Sequence, residues 1–132
     1  DLINAIARRL PLTPSAGASI RAWGHTRLFS PWEFLVDPAS RRLLEAAGWE
    51  HPEPTFVPTG DELVAQYLEP LAALPQISSR LLTATTVVGV TKRGMDRTRS
   101  IGRASTPYVV RMRTADGSEN ELLARAVIDA SG

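Results

Sequence analysis

The sequence predicts a mixed α/β fold, and three observations predict it. Apolar residues recur at helical spacing in the first half of the chain, over 2–10 and again over 60–74. After Pro75 the period changes to alternation, with β-branched runs separated by turn residues. A last short apolar run, Ala126-Val-Ile-Asp-Ala-Ser-Gly132, then reads as one further strand that passes into small residues.

Taken in order, Leu2, Ile3, Ile6, Ala7 and Leu10 share one face of a helix expected over 2–10, which Pro11 cannot continue. Pro14 and Gly17 hold a loop. The stretch 21–32, Arg-Ala-Trp-Gly-His-Thr-Arg-Leu-Phe-Ser-Pro-Trp, is expected as a short helical turn followed by irregular chain. Asp37-Pro38 offers an N-cap and a proline at the first position of a helix over 38–47. Gly48 stands where a C-terminal glycine belongs, and Leu43, Leu44 and Ala47 form the expected buried stripe. His51 to Pro58 reads as an extended connector with His51 in solvent. Thr59-Gly-Asp-Glu62 is a capping box opening a helix over 60–74, with a kink expected at Pro70 because proline removes one backbone bond. Strands are expected near 86–92, 107–114 and 119–124, a three-stranded antiparallel meander whose last two strands are joined by the turn Ala115-Asp-Gly-Ser118. Gly94 to Thr106 is a polar, basic loop, and 125–130 is a final strand with Val127 and Ile128 in the core.

Composition narrows the function classes. At 132 residues, with 43% hydrophobic and 22% charged residues, this is one domain's worth of soluble globular chain. The net charge of +1 gives little pull toward nucleic acid or membrane, and neither is expected as a partner. There is no cysteine, so disulfides, thiol redox chemistry and cysteine-ligated metals are excluded. No apolar run reaches the roughly 20 residues of a membrane span, so a cytoplasmic location is the default expectation. The start at Asp1 and the end at Gly132 both read as cuts in something longer.

Candidate chemistry is sparse. The nine glycines never take the G-x-G-x-x-G spacing. Gly89-Val-Thr-Lys-Arg-Gly94 has the glycine spacing of a phosphate loop, but Met95-Asp96 follow in place of Lys and Ser/Thr, on a strand. The two histidines, His25 and His51, lack ligand spacing, and no metal site is expected. No serine sits in a nucleophile elbow, and Asp61 and Glu62 read as helix-capping groups, so no catalytic residue is assigned. His25, among Trp23, Arg27 and Phe29, is either a packed histidine in an aromatic cluster or a polar group beside a ring-shaped cofactor or substrate. The basic run Lys92, Arg93, Arg97, Arg99 and Arg103, continued by Arg111 and Arg113, is either a solvated loop or a contact for an anionic partner or a neighbouring domain.

Four segments carry a resemblance to a known family. They are Gly17-Ala-Ser-Ile-Arg-Ala-Trp-Gly-His25 running into Arg27-Leu-Phe-Ser-Pro-Trp32; Pro58-Thr-Gly-Asp-Glu-Leu-Val64 with Tyr67-Leu-Glu-Pro-Leu71; Thr85-Thr-Val-Val-Gly-Val90; and Val127-Ile-Asp-Ala-Ser-Gly132. Together they resemble the two-dinucleotide-domain flavoproteins, among them bacterial flavin-containing monooxygenases and pyridine-nucleotide oxidoreductases. The resemblance implies that 1–132 is a partial FAD-binding domain, a Rossmann-like FAD/NAD(P)-binding fold that carries the meander and the final core strand. It implies an NAD(P)H-dependent flavin oxidoreductase or monooxygenase with FAD as cofactor, NADPH or NADH bound mainly by other parts, and a small-molecule substrate. It places the backbone of Val87 against the adenine and the turn Ala130, Ser131 and Gly132 near the cofactor. Trp23, His25, Arg27, Phe29 and Ser30 would line the isoalloxazine.

The sequence departs from that family twice. The strand and glycine turn expected before residue 2 are absent, and Ser15-Ala16 stand where a short strand should end in a ribose-holding acid. This piece alone is therefore expected to bind FAD poorly. The alternative is a non-enzymatic ligand- or peptide-binding module with an aromatic loop; oligomeric state is open, a homodimer being one expectation.

Overall fold

A computed structural model describes residues 5–7, 16–96, 98 and 100–130. They form a mixed α/β structure in two compact units, one of residues 13–83 and one of residues 1–12 with 84–132. The second unit is discontinuous in sequence, and the first lies within its interruption.

In the 13–83 unit, α1 spans Ala18–Arg21, a 3₁₀ turn spans Trp32–Phe34 and α2 spans Pro38–Ala46. The Asp37 carboxylate accepts from the amides of Ala39 and Ser40, which are free because the first turn of a helix has no internal acceptor for them. Gly48 takes φ 86°, as expected of the glycine closing α2. The expected buried stripe of α2 is narrower in the structure. Leu44 is buried, but Leu43 and Ala47 are exposed, because the core meets the helix along a single line of contact.

Next come α3 at Gly60–Leu63, a π-helical turn at Val64–Leu68, α4 at Glu69–Ala73 and α5 at Pro75–Ser78. The capping box is closed in both directions: Glu62 N–H donates to Thr59 Oγ1 at 3.2 Å, and Thr59 N–H donates to Glu62 Oε2 at 2.8 Å. Asp61 has a different role from the capping expected of it, lying 3.6 Å from the Arg21 guanidinium. The break expected at Pro70 takes the form of the π-helical turn just before it. Pro70 has no amide to offer the carbonyl of Gln66 four residues back, and the Trp49 indole N–H donates there instead, at 2.7 Å. The chain also stays helical one turn beyond Pro75, since proline is well suited to open a helix.

The core of this unit joins Trp32, Val36, Leu44, Tyr67 and Leu74, with Leu63, Leu68, Leu71, Trp49 and Ile77 packed around them. Burying a side chain such as Leu44 is worth roughly 1.5–3 kcal/mol, so these few residues dominate the unit's stability. His51, expected in solvent, is half-buried. Its ring stands edge-on to Trp49 at 5.5 Å, a surface that exists because the indole is tied to Gln66.

In the other unit the expected meander is present. Strands β2 (Thr85–Lys92), β3 (Tyr108–Thr114) and β4 (Glu119–Ala124) form an antiparallel sheet in the order β2-β3-β4. Val110 and Ala124 are its buried residues. Between Val87 and Gly89 the register slips by a bulge. The β3–β4 turn closes on Gly117 at φ 86°, with Asp116 accepting from Thr114 Oγ1 and from Ser118 N–H.

The largest departure lies at the start of the chain. The helix expected over 2–10 is corrected at Ala5–Ala7, which form strand β1. β1 pairs in parallel with β5 (Val127–Asp129), with Ile6 opposite Ile128. A helix of nine residues is marginal on its own, whereas the β5 edge offers a ready row of backbone partners. The remainder of the expected helix, residues 2–4 and 8–10, lies outside the described residues. The final strand expected over 125–130 is present at Val127–Asp129. Val127 is half-buried, but Ile128, expected in the core, is 67% exposed, since a two-stranded ribbon has few neighbours to cover it.

Candidate functional site

The aromatic stretch is held in place by the connector that follows α2. Backbone bonds tie it to the connector and to the start of α3: Leu28 N–H to Pro58 O, Trp32 N–H to Phe56 O and Glu33 N–H to Pro54 O, then Gly60 N–H to Thr26 O and Asp61 N–H to Gly24 O. Arg27 and Thr59 form a bridge within this pairing. Two glycines make the close approach possible. A Cβ on Gly60 would lie 2.9 Å from the Trp23 ring and 3.1 Å from Gly24 Cα, and one on Gly24 would lie 2.1 Å from Asp61 Oδ1. Trp23 therefore rests its ring on Gly60.

Within this frame the candidate residues divide by exposure. Phe29 is 101% exposed, and Trp23, His25 and Arg27 are exposed, while Ser30 is half-buried. Trp32, the last residue of the stretch, is the reverse at 1% and belongs to the core. Arg27 donates to the Val57 carbonyl and stands 5.3 Å from the centre of the Phe56 ring, an exposed cation–π contact worth about 0.5–1 kcal/mol. His25 makes no hydrogen bond, ion pair or ring contact with the described residues.

Phe34 and Phe56 are exposed as well, Phe56 beneath the Arg27 guanidinium, and were missed in the sequence, where the connector read as a spacer. The available signal was the alternation Pro54-Thr-Phe-Val-Pro58, which suits an extended segment lying along a neighbour. Phe29 and Phe34 stand largely in water and Phe56 is partly covered by Arg27, so each offers apolar surface to a ligand.

The other candidates belong to the second unit. Val87 is half-buried on β2, at the bulge. β2 is an edge strand, so one row of its backbone groups faces away from β3. Ala130 is exposed directly after β5, and Ser131 and Gly132 lie outside the described residues. The structure thus gathers Trp23, His25, Arg27, Phe29 and Ser30 on one segment, and carries Val87 and Ala130 in a different compact unit.

Among the described residues no group of three or more His, Asp or Glu side chains has the geometry to hold a metal. No helix there is long and apolar enough to cross a membrane. No family model, no curated protein and no solved structure matches the chain.

Proposed function

We propose that the chain is the FAD-domain portion of an NAD(P)H-dependent flavin oxidoreductase or monooxygenase, built on a Rossmann-like fold. The observation that carries this reading is the parallel pairing of β1 with β5 directly after the meander. Parallel neighbours need a crossover connection, and strands paired in this way are the usual frame of dinucleotide-binding domains. Three features fit the cofactor. Val87 lies on β2, an edge strand among the described residues, and the outward side of such a strand is the kind of backbone row that would take an adenine edge. Small residues follow β5 from Ala130, leaving room for close approach. Trp23 and Phe29 offer exposed aromatic surface, with His25 and Arg27 as polar groups beside it.

The chemistry supplied by bound FAD is acceptance of a hydride from NADPH or NADH and its delivery to oxygen or another acceptor. The chain's own residues bind and orient; none is assigned to proton transfer. Phe29 and Trp23 would exclude water from a ring laid on them, and Arg27 would hold a cationic edge beside it.

The visible absorption spectrum of the full-length natural protein, followed by heat release of any chromophore, tests this reading. The expected result is a flavin spectrum, released FAD, and bleaching by NADPH or NADH. Trp23→Ala or Phe29→Ala in that protein should weaken FAD retention or shift its spectrum; unchanged affinity and spectrum in both would remove the aromatic segment from the site. A colourless protein that takes up no FAD would favour the second reading, a non-enzymatic ligand- or peptide-binding module. The exposure of Phe29, Phe34 and Phe56 supports that alternative independently of any cofactor.

A further inference from the structure

A second candidate site lies wholly within the unit that carries the meander. Lys92 at the end of β2, Tyr108 at the start of β3, Arg103 and Ala104 in the loop between them, and Arg125, Ala126 and Val127 after β4 line an open cleft of about 490 Å³. Antiparallel register creates it: Lys92 pairs with Tyr108, and Tyr108 pairs with Ala124, so three strand ends and one loop meet there.

Among the described residues that line it, three are cationic and none is acidic. Lys92 is held in place without being neutralised. Its ammonium donates to the Thr106 carbonyl at 2.7 Å and stands 3.7 Å from the centre of the Tyr108 ring. Neither partner carries a formal charge, and an ammonium has three protons to donate. Arg103 donates to the Asp96 carbonyl at 3.1 Å, which pins the loop on that side of the cleft. Arg125 is exposed and forms no ion pair with the described residues. Lys92 and Arg125 carry like charge on one cleft, and an anion placed between them takes charge-assisted hydrogen bonds from both.

The other described residues of the lining are mainly apolar. Ala104, Ala126, Val127 and the Tyr108 ring offer contact surface that a bare inorganic ion would not use. The volume falls in the range of small-molecule sites, which combine apolar walls with a few convergent polar groups. A guanidinium fork beside a lysine suits a phosphate group, with the fork supplying paired donors and the ammonium a point charge.

We infer that this cleft binds a small organic phosphomonoester, with Lys92 and Arg125 on the phosphate, Arg103 holding the loop beside it, and Ala104, Ala126, Val127 and Tyr108 against its apolar body. The site is independent of the flavin reading.

The test is titration of the ¹⁵N-labelled chain with phenyl phosphate, inorganic phosphate and phenol at matched ionic strength, followed by amide chemical shifts. Phenyl phosphate should bind several-fold more tightly than inorganic phosphate, and phenol should not bind. The largest shifts should fall at Lys92, Arg103, Ala104, Tyr108, Arg125 and Ala126. Arg125→Gln should weaken phenyl phosphate about tenfold, the scale of one lost charge-assisted bond. Arg42→Gln, on α2, should leave binding unchanged. Inorganic phosphate binding as tightly as phenyl phosphate would overturn the organic ligand and leave a free-phosphate site. Equal weakening by both variants, or shifts spread over the arginines of the other unit, would reduce the effect to general charge and overturn the site. Because Arg125 is exposed, its variant should keep the β2–β4 amide pattern, so a lost site is distinguishable from a lost fold.

Discussion

At Gly17 two separate demands fall on one residue. Its backbone sits at φ 74°, where a Cβ costs about 1–2 kcal/mol. The space is filled as well: a Cβ there would lie 2.7 Å from Val64 Cγ2, and Val64 is fully buried. Gly17→Ala should therefore destabilise the 13–83 unit by about 2–4 kcal/mol, strain and overpacking together, measured by urea denaturation. A loss below about 0.5 kcal/mol would mean the loop moves aside at little cost. The sequence marked Gly17 as a loop residue, but nothing in it placed Val64 beneath. The same holds for Trp49, whose bond to Gln66 depends on an amide that Pro70, far along the chain, does not have. Local residue types show through a sequence, whereas their distant partners do not.

Among elements, the β3–β4 hairpin shows how charge supports a turn. The Asp116 carboxyl is held below its usual range, chiefly by the Thr114 hydroxyl and then by the Ser118 amide. Glu119 is lowered as well, first by its hydrogen bond from Arg113 and then by that residue's charge. A carboxyl whose pKa falls on folding stabilises the fold above its unfolded value, and that contribution fades as pH drops through the folded value. The hairpin should therefore loosen below the ordinary carboxylate range, around pH 4 and under, seen as faster amide exchange over 114–119 while Val110 stays protected. Uniform exchange across the sheet at that pH would assign the effect to global unfolding. Elements like this one were legible because their signals are local: Asp-Gly for the turn, alternation for β3 and β4, and Asp37-Pro38 and Thr59-Gly-Asp-Glu62 for two helix starts. The stripe on α2 was misread at Leu43 and Ala47, since helical spacing identifies a face but not how much of it the neighbours cover.

For the molecule as a whole, the decisive feature is the contact between β1 and β5. Residues 2–10 carry a helical pattern, and the strand at Ala5–Ala7 exists because Val127–Asp129 pairs with it. Tertiary pairing overrode local periodicity there, which no window of neighbouring residues could reveal. The candidate site was legible to the same degree: the aromatic segment stood out by composition, while the part played by Phe56 and the cationic cleft beneath Tyr108 depended on register. Removing residues 1–12 should strip β5 of its partner and raise amide exchange at Val127–Asp129, with β2, β3 and β4 unchanged. Unaltered protection of β5 would mean that its hydrogen bonds do not depend on β1.

The pairing also has a consequence for the order of assembly in the cell. During synthesis at a ribosome's usual pace, residues 5–7 emerge on the order of ten seconds before their partner strand exists. Through that interval the 13–83 segment has all of its own core and can close, while the leading strand waits with an open edge. A nascent chain built this way is exposed to mispairing at that strand until β5 is made.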